Sequence, residues 1–238
     1  MKNDRNVLKE LQLSLENVKG QLHVLEVNVP VEKQMEYFRY SEEIRRESFD
    51  SQAVEEQISI LFSVESSVKE LKYALAFLAI SGDVKAYRAI EAYNEIHSDD
   101  WAAMSLMQAK IVLESEFSDE KQIFISTGLG GKDDKLRFFA FFKSKDRKTF
   151  SDYQRKLIEK EILYSIQNYQ GILEKIHIQD NYFTLVFLIN IQVNIKIMLE
   201  EAISECNQYG DFISKTFIIT NVKVFSEEEI KNELMKNE

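Results

Sequence analysis

The 238-residue chain predicts an α+β protein, with an all-α helical stack in its first half and an α+β domain with a mostly antiparallel sheet in its second. Three observations carry that expectation. Apolar residues recur at three- and four-residue spacing through residues 31–117, as on one face of a helix. After residue 121, β-prone runs alternate with helical stretches, and Leu136–Lys143 alone holds four phenylalanines. Seven glycines and one proline leave room mainly for short connections, and 45% hydrophobic with 29% charged residues excludes wholesale disorder.

Leu8, Leu11, Leu15, Val18, Leu22, Leu25 and Val29 follow the helical spacing and predict a helix over 8–29. A hairpin is the alternative, because Leu11, Leu13 and Leu15 alternate, as do Val27, Val29 and Val31. Pro30 breaks the chain, since it lacks an N–H and fixes φ. A helix from Val31 to Glu47 would turn Met35, Phe38 and Ile44 inward, and Ser51 would cap one carrying Val54, Ile58, Leu61 and Phe62. Val68, Leu71, Leu75, Leu78 and Ala79 form the next stripe, stopped at Gly82. Asp83 then caps a helix ending near His97, and Trp101 to Leu113 lies on another.

Gly82-Asp83-Val84-Lys85-Ala86-Tyr87-Arg88-Ala89-Ile90-Glu91-Ala92-Tyr93, followed by Asp99-Asp100-Trp101-Ala102-Ala103-Met104-Ser105-Leu106, resembles HEAT-type (armadillo-like) helical repeats. The resemblance covers residues 67–117, little more than one repeat. It implies a stack of helical pairs serving as a binding surface, and it identifies no catalytic residue.

The pattern changes between Glu116 and Lys121, which predicts two domains, 1–118 and 119–238. Gln122–Ser126 reads as a strand, Thr127–Lys135 as a glycine-rich turn and Leu136–Lys143 as a strand. Ser151 opens a helix with Tyr153, Leu157, Ile158, Ile162, Ile166 and Tyr169 on one face, closed by Gly171. Ile172–Ile178 and Tyr182–Ile189 are strands, Ile195–Tyr209 a helix with Cys206 and Tyr209 on its inner stripe, and Thr216–Phe225 a last strand. Ser226 and Glu229 form a capping box for a terminal helix. A Phe-rich strand leading through a polar loop into a helix occurs twice, which reads as a duplicated ββα unit.

Composition narrows the chemistry. One cysteine, Cys206, and three histidines, His23, His97 and His177, exclude a disulfide framework and a Cys/His zinc site, so no metal and no cofactor is expected. No G-x-S-x-G, H-E-x-x-H or C-x-x-C occurs, and no catalytic residue is identified. Paired carboxylates such as Glu42–Glu43, Glu55–Glu56 and Glu227–Glu229 read as solvated helix faces. The net charge of −10 lies wholly in residues 1–120, with 13 Lys/Arg against 23 Asp/Glu, while residues 132–160 hold ten basic and five acidic side chains.

The candidate ligand site is the loop Ser126, Thr127, Gly128, Leu129, Gly130, Gly131 and Lys132, whose glycines would let backbone N–H groups converge on an anion. It departs from a phosphate-binding P-loop at Ser126 and Asp133 and runs into a strand. Arg137, Phe139, Ala140 and Phe141 partly resemble the stacking strand of RNA-recognition motifs, although Phe138 stands where that motif has glycine. The leading expectation is a non-enzymatic, cytoplasmic protein–protein interaction or adaptor protein, taking a basic or mixed-charge protein or a second copy of itself. No membrane contact is expected, and nucleic acid is not an expected partner. Nucleotide or anion binding at the glycine loop and RNA binding on the strand 136–143 are the alternatives, and an unrecognised enzyme follows them.

Overall fold

The computed structural model describes residues 21–26, 28–97, 99–117, 122–133 and 135–236. They form two compact units, one within Lys19–Ser126 and the other within Thr127–Glu238. The division falls after Ser126 rather than after residue 118, because the strand β2 (Gln122–Ile125) pairs in parallel with β1 (Gln21–Val24) of the helical unit. The stripe residues Leu8, Leu11, Leu15 and Val18 lie outside the described residues. Gln21–Val24 is a strand, so neither the helix nor the hairpin predicted across 8–29 describes it.

Five helices complete the first unit: α1 (Val31–Ile44), α2 (Ser51–Leu61), α3 (Val68–Ile80), α4 (Val84–Ile96) and α5 (Asp100–Phe117). Their starts are set locally. Asp50 rather than Ser51 caps α2, Ser67 and Glu70 form a capping box on α3, and Asp83 accepts from Lys85 and Ala86 at the head of α4. Gly82 turns the chain between α3 and α4 at φ +70°. The core gathers Leu75, Phe77, Leu78, Ile90, Trp101 and Met104. On α1 the expected inward face is corrected: Met35 and Phe38 are exposed, and Gln34, Tyr37, Ser41 and Ile44 are buried. The buried polar groups find partners, Gln34 Nε2 donating to the Val29 carbonyl at 2.7 Å and Tyr37 OH to Gln108 Oε1 at 2.6 Å.

The second unit contains β3 (Gly131–Lys132), β4 (Lys135–Ser144), α6 (Asp152–Asn168), β5 (Ile172–Ile178), β6 (Tyr182–Asn190), α7 (Ile195–Asn207), β7 (Ile213–Thr220) and α8 (Glu227–Met235). The sheet runs β3-β4-β6-β5, β7 pairs further along the same edge of β4 that β3 uses, opposite β6, and all the pairings are antiparallel. From β4 to β7 the order is βαββαβ, the split βαβ arrangement of ferredoxin-like sandwiches. The duplicated phrase is therefore strand–helix–strand, not ββα: β4 and β6 each open a βαβ half, and β2 belongs to the other unit.

Alternation along β4 and β6 sends Phe138, Ala140, Phe142, Phe183, Leu185 and Phe187 to one face, where all are fully buried beneath the apolar stripes of α6 and α7. Phe142 stacks between Phe183 and Phe217, with centroids 4.5 and 5.2 Å away. The opposite face carries Phe139 and Phe141. It is covered by Phe225 and by Ile230 and Leu234 of α8. No helix among the described residues is long and apolar enough to cross a membrane.

Candidate nucleic-acid interface

The two ends of β4 behave differently. Before it lies the glycine loop predicted as a ligand site, and the structure makes that loop a packed strap. Thr127, Gly128, Leu129, Gly130 and Gly131 are buried, and only Lys132 at its end is exposed. Part of its backbone is engaged: Leu129 N–H donates to the Asn221 carbonyl, Gly130 N–H to that of Thr127, and Gly131 pairs with Leu136. Gly128 allows the chain at Val222 to approach, since a Cβ there would sit 1.9 Å from the Val222 carbonyl oxygen. Ser126 belongs to the helical unit, where its hydroxyl bonds to Gln34 Oε1. The loop thus packs backbone against backbone, with Lys132 exposed at its end.

After β4 the chain is strained, charged and exposed. The β4–β7 register shifts between Phe142 and Ser144, a bulge that re-aims the strand end. Ser144 N–H then donates to Asn181 and Lys145 N–H to Phe212, each at 2.8 Å, which pins the turn between the β5–β6 connection and the start of β7. A 3-10 turn over Lys145–Arg147 follows, with Asp146 at φ +58° and Arg147 at φ +57°. Two successive non-glycine residues in the left-handed region cost on the order of 1 kcal/mol each, so the surrounding contacts must hold them there. Buried Phe150 anchors the far side, its N–H donating to Asp180 at 2.6 Å. Ser151 and Gln154 then cap α6 reciprocally.

Residues 143–160 carry Lys143, Lys145, Arg147, Lys148, Arg155, Lys156 and Lys160 against Asp146, Asp152 and Glu159. Lys145 pairs with Asp211, whose carboxyl it holds below the usual range; Lys148 pairs with Asp146 at 3.7 Å, Arg155 with Asp180 at 3.2 Å and Lys160 with Glu161 at 3.3 Å. The exposed pairs of Lys145 and Lys148 contribute at most about 1 kcal/mol, so phosphate can replace those two carboxylates at little cost. On α6 the run Tyr153, Lys156, Lys160, Tyr164 falls within an arc of about 80° and a length of about 16 Å. Tyr153 is 59% and Tyr164 66% exposed, which corrects the placement of Tyr153 on the inner face. The result is a solvent-facing stripe of two lysines flanked by two tyrosines, continuous in sequence with the basic turn.

The other candidates do not assemble into a site. Phe139 and Phe141, the stacking pair of the RNA-recognition resemblance, are 1% and 3% exposed beneath α8, so they present no open platform to a base. Cys206 is buried and its thiol is pushed up to about 12 by desolvation, the state of a packing residue rather than a nucleophile. His97 ends α4 with its ring 4.6 Å from that of Tyr93. His177 is exposed on β5 beside Gln179, and His23 lies 3.5 Å from Glu114. Among the described residues no group of three or more His, Cys, Asp or Glu could hold a metal ion.

No family model matches the chain, and no curated protein matches it. Two solved structures resemble part of it. One, described as a transposase from Deinococcus radiodurans R1, is 11% identical with a TM-score of 0.38 and covers 44% of this chain and 92% of its own. The other is a REP-associated tyrosine transposase bound to a REP hairpin, 6% identical with a TM-score of 0.33, covering 41% of this chain and 61% of its own. At these scores the likeness transfers neither fold nor activity. They do not bear on the HEAT-type resemblance, but both are described as transposases, against the expectations of a protein–protein adaptor and of no nucleic-acid partner. The last also failed physically, because a net charge of −10 averages an acidic first half with a second half that concentrates cations at one turn and one helix face.

Proposed function

We propose that the α+β unit binds nucleic acid by its phosphate backbone, along the basic turn at residues 145–148 and the exposed stripe of α6. The observation that carries this reading is the local excess of seven cations over three carboxylates within residues 143–160 of a chain whose overall charge is −10. Arg147, Lys148, Lys156 and Lys160 are exposed, Lys143, Lys145 and Arg155 are half-buried, and the exposed Tyr153 and Tyr164 offer flat faces beside them. Contacts of this kind position a backbone and carry little sequence information.

Titration of a labelled DNA hairpin between roughly 50 and 200 mM salt tests the reading. The wild-type chain is expected to bind with a steep linear dependence of log K on log salt. Replacing Lys148, Lys156 and Lys160 together with alanine should flatten that slope by about 2 to 3, near 0.9 per lost phosphate contact on duplex. No binding at the lowest salt, or an unchanged slope in the triple variant, sinks the reading.

A further inference from the structure

Two cations of this surface, Lys143 and Arg147, are engaged by the chain itself. Lys143 Nζ donates to the carbonyl of Lys236 and Arg147 Nη2 to that of Met235, each at 3.4 Å. Those carbonyls belong to the C-terminal end of α8, where the last turn of a helix has no intrahelical donors and the macrodipole is negative. No glycine or basic side chain within its last turn caps that end. The two cations therefore meet a partial negative charge and a pair of oxygens, the same features that a phosphate would present to them.

The rest of α8 is lightly held. Among the described residues its ion pairs, Lys223–Glu229 at 2.5 Å and Lys236–Glu233, lie within residues 223–236. Phe225, Ile230 and Leu234 supply its apolar contacts, and all three remain partly exposed. The connection before it is loose as well, with Val222 and Val224 about half exposed. At 3.4 Å the two bonds are long for charge-assisted contacts, which are strongest below about 3 Å.

We propose that the carbonyl end of α8 is an internal stand-in for phosphate on Lys143 and Arg147, displaced when nucleic acid takes the whole basic surface. The inference rests on the nucleic-acid reading, adds Lys143 to its phosphate contacts and names the element that withholds both Lys143 and Arg147 from phosphate. Nine residues of helix held by three apolar side chains open locally far more readily than the sheet beneath them.

The test keeps the chain at full length. I230S/L234S removes the apolar hold on α8 without changing charge. Relative to wild type it should bind the DNA hairpin about tenfold more tightly near 50 mM salt, with a salt slope steeper by about 2, the signature of two further phosphate contacts. Adding K143A/R147A to that variant should return both values to wild type. In the wild-type chain, hydrogen exchange should show amides 227–235 losing protection when the hairpin binds, a readout that survives if I230S/L234S fails to fold. Wild-type binding with no gain in the unseated variant, or α8 amides equally protected with and without hairpin, overturns this inference alone. A hairpin that binds neither chain removes the nucleic-acid reading, and this inference with it.

Discussion

The glycine loop and the basic turn flank the same strand, and they solve opposite problems. Residues 127–131 bring backbone against backbone: Gly128 admits the Val222 carbonyl, Gly130 takes φ +64°, and the segment is buried. Residues 145–148 hold charged side chains out in water on a backbone that two non-glycine residues force into the left-handed region. Glycine marks the place where the fold needs room, while strain without glycine marks the place where side chains are needed despite their cost.

The sharpest way to break the comparison is to give the first loop a side chain. Gly128→Ala would drive a Cβ into a backbone carbonyl 1.9 Å away, and neither the loop nor residues 221–222 can retreat without losing the Leu129–Asn221 bond. Overpacking of this kind costs on the order of 3 kcal/mol. For a unit of this size that lowers the melting temperature by roughly 10 °C or more. Thermal denaturation of the variant measures it; a shift of only a few degrees would mean that the loop is soft and its burial incidental.

Much of this architecture was legible in the sequence where the cause is local. Caps at Ser67, Asp83, Ser151 and Ser226 set four helix starts within four residues of chain, and the Phe-rich strands announce themselves by composition. What depends on a distant partner was not legible. The β1 segment pairs with residues 122–125, about 100 positions on, and Leu22 taken with Leu15, Val18, Leu25 and Val29 fits a helical spacing as well. Gln34 and Tyr37 look like exposed residues until Val29 and Gln108 satisfy them. At the candidate site the cation count was readable, whereas Tyr153 was assigned to the wrong face because it sits one turn ahead of the buried stripe at Leu157 and Ile158. Nothing in Lys-Asp-Arg-Lys reveals a left-handed backbone.

A smaller effect tests how the glycine loop is tied to the sheet. Arg137 donates to the Leu129 carbonyl and forms a two-pronged pair with Glu174, Nε to Oε2 at 2.5 Å and Nη2 to Oε1 at 2.9 Å. Both groups are partly buried, and the guanidinium holds the Glu174 carboxyl below its ordinary 4.5. A carboxylate depressed in the folded state stabilises above its unfolded value, and that contribution fades as pH falls below about 4.5 through the folded value. Glu174→Gln should therefore cost about 1 kcal/mol near pH 7 and less at about pH 3. Urea unfolding at the two pH values measures it. A pH-independent cost would assign the effect to packing.

The smallest effect sharpens the comparison most, because it separates strain from charge on the basic turn. Asp146 adopts φ +58° and lies 3.7 Å from Lys148. Glycine at 146 would relieve the left-handed penalty but loosen the unfolded and folded turn alike, for a net gain of about 0.5 kcal/mol. Asparagine tolerates the same backbone, so Asp146→Asn should leave stability almost unchanged. Both variants remove one carboxylate from a phosphate-facing surface, and charge alone would raise nucleic-acid affinity equally in the two. If the strained turn holds Lys145, Arg147 and Lys148 in register for a phosphate backbone, Asp146→Asn should tighten hairpin binding while Asp146→Gly, although the more stable protein, should gain less or lose. Equal gains would show that the cations act as a diffuse cloud, and the left-handed pair at 146 and 147 would then be a matter of chain reversal between β4 and α6 rather than of recognition.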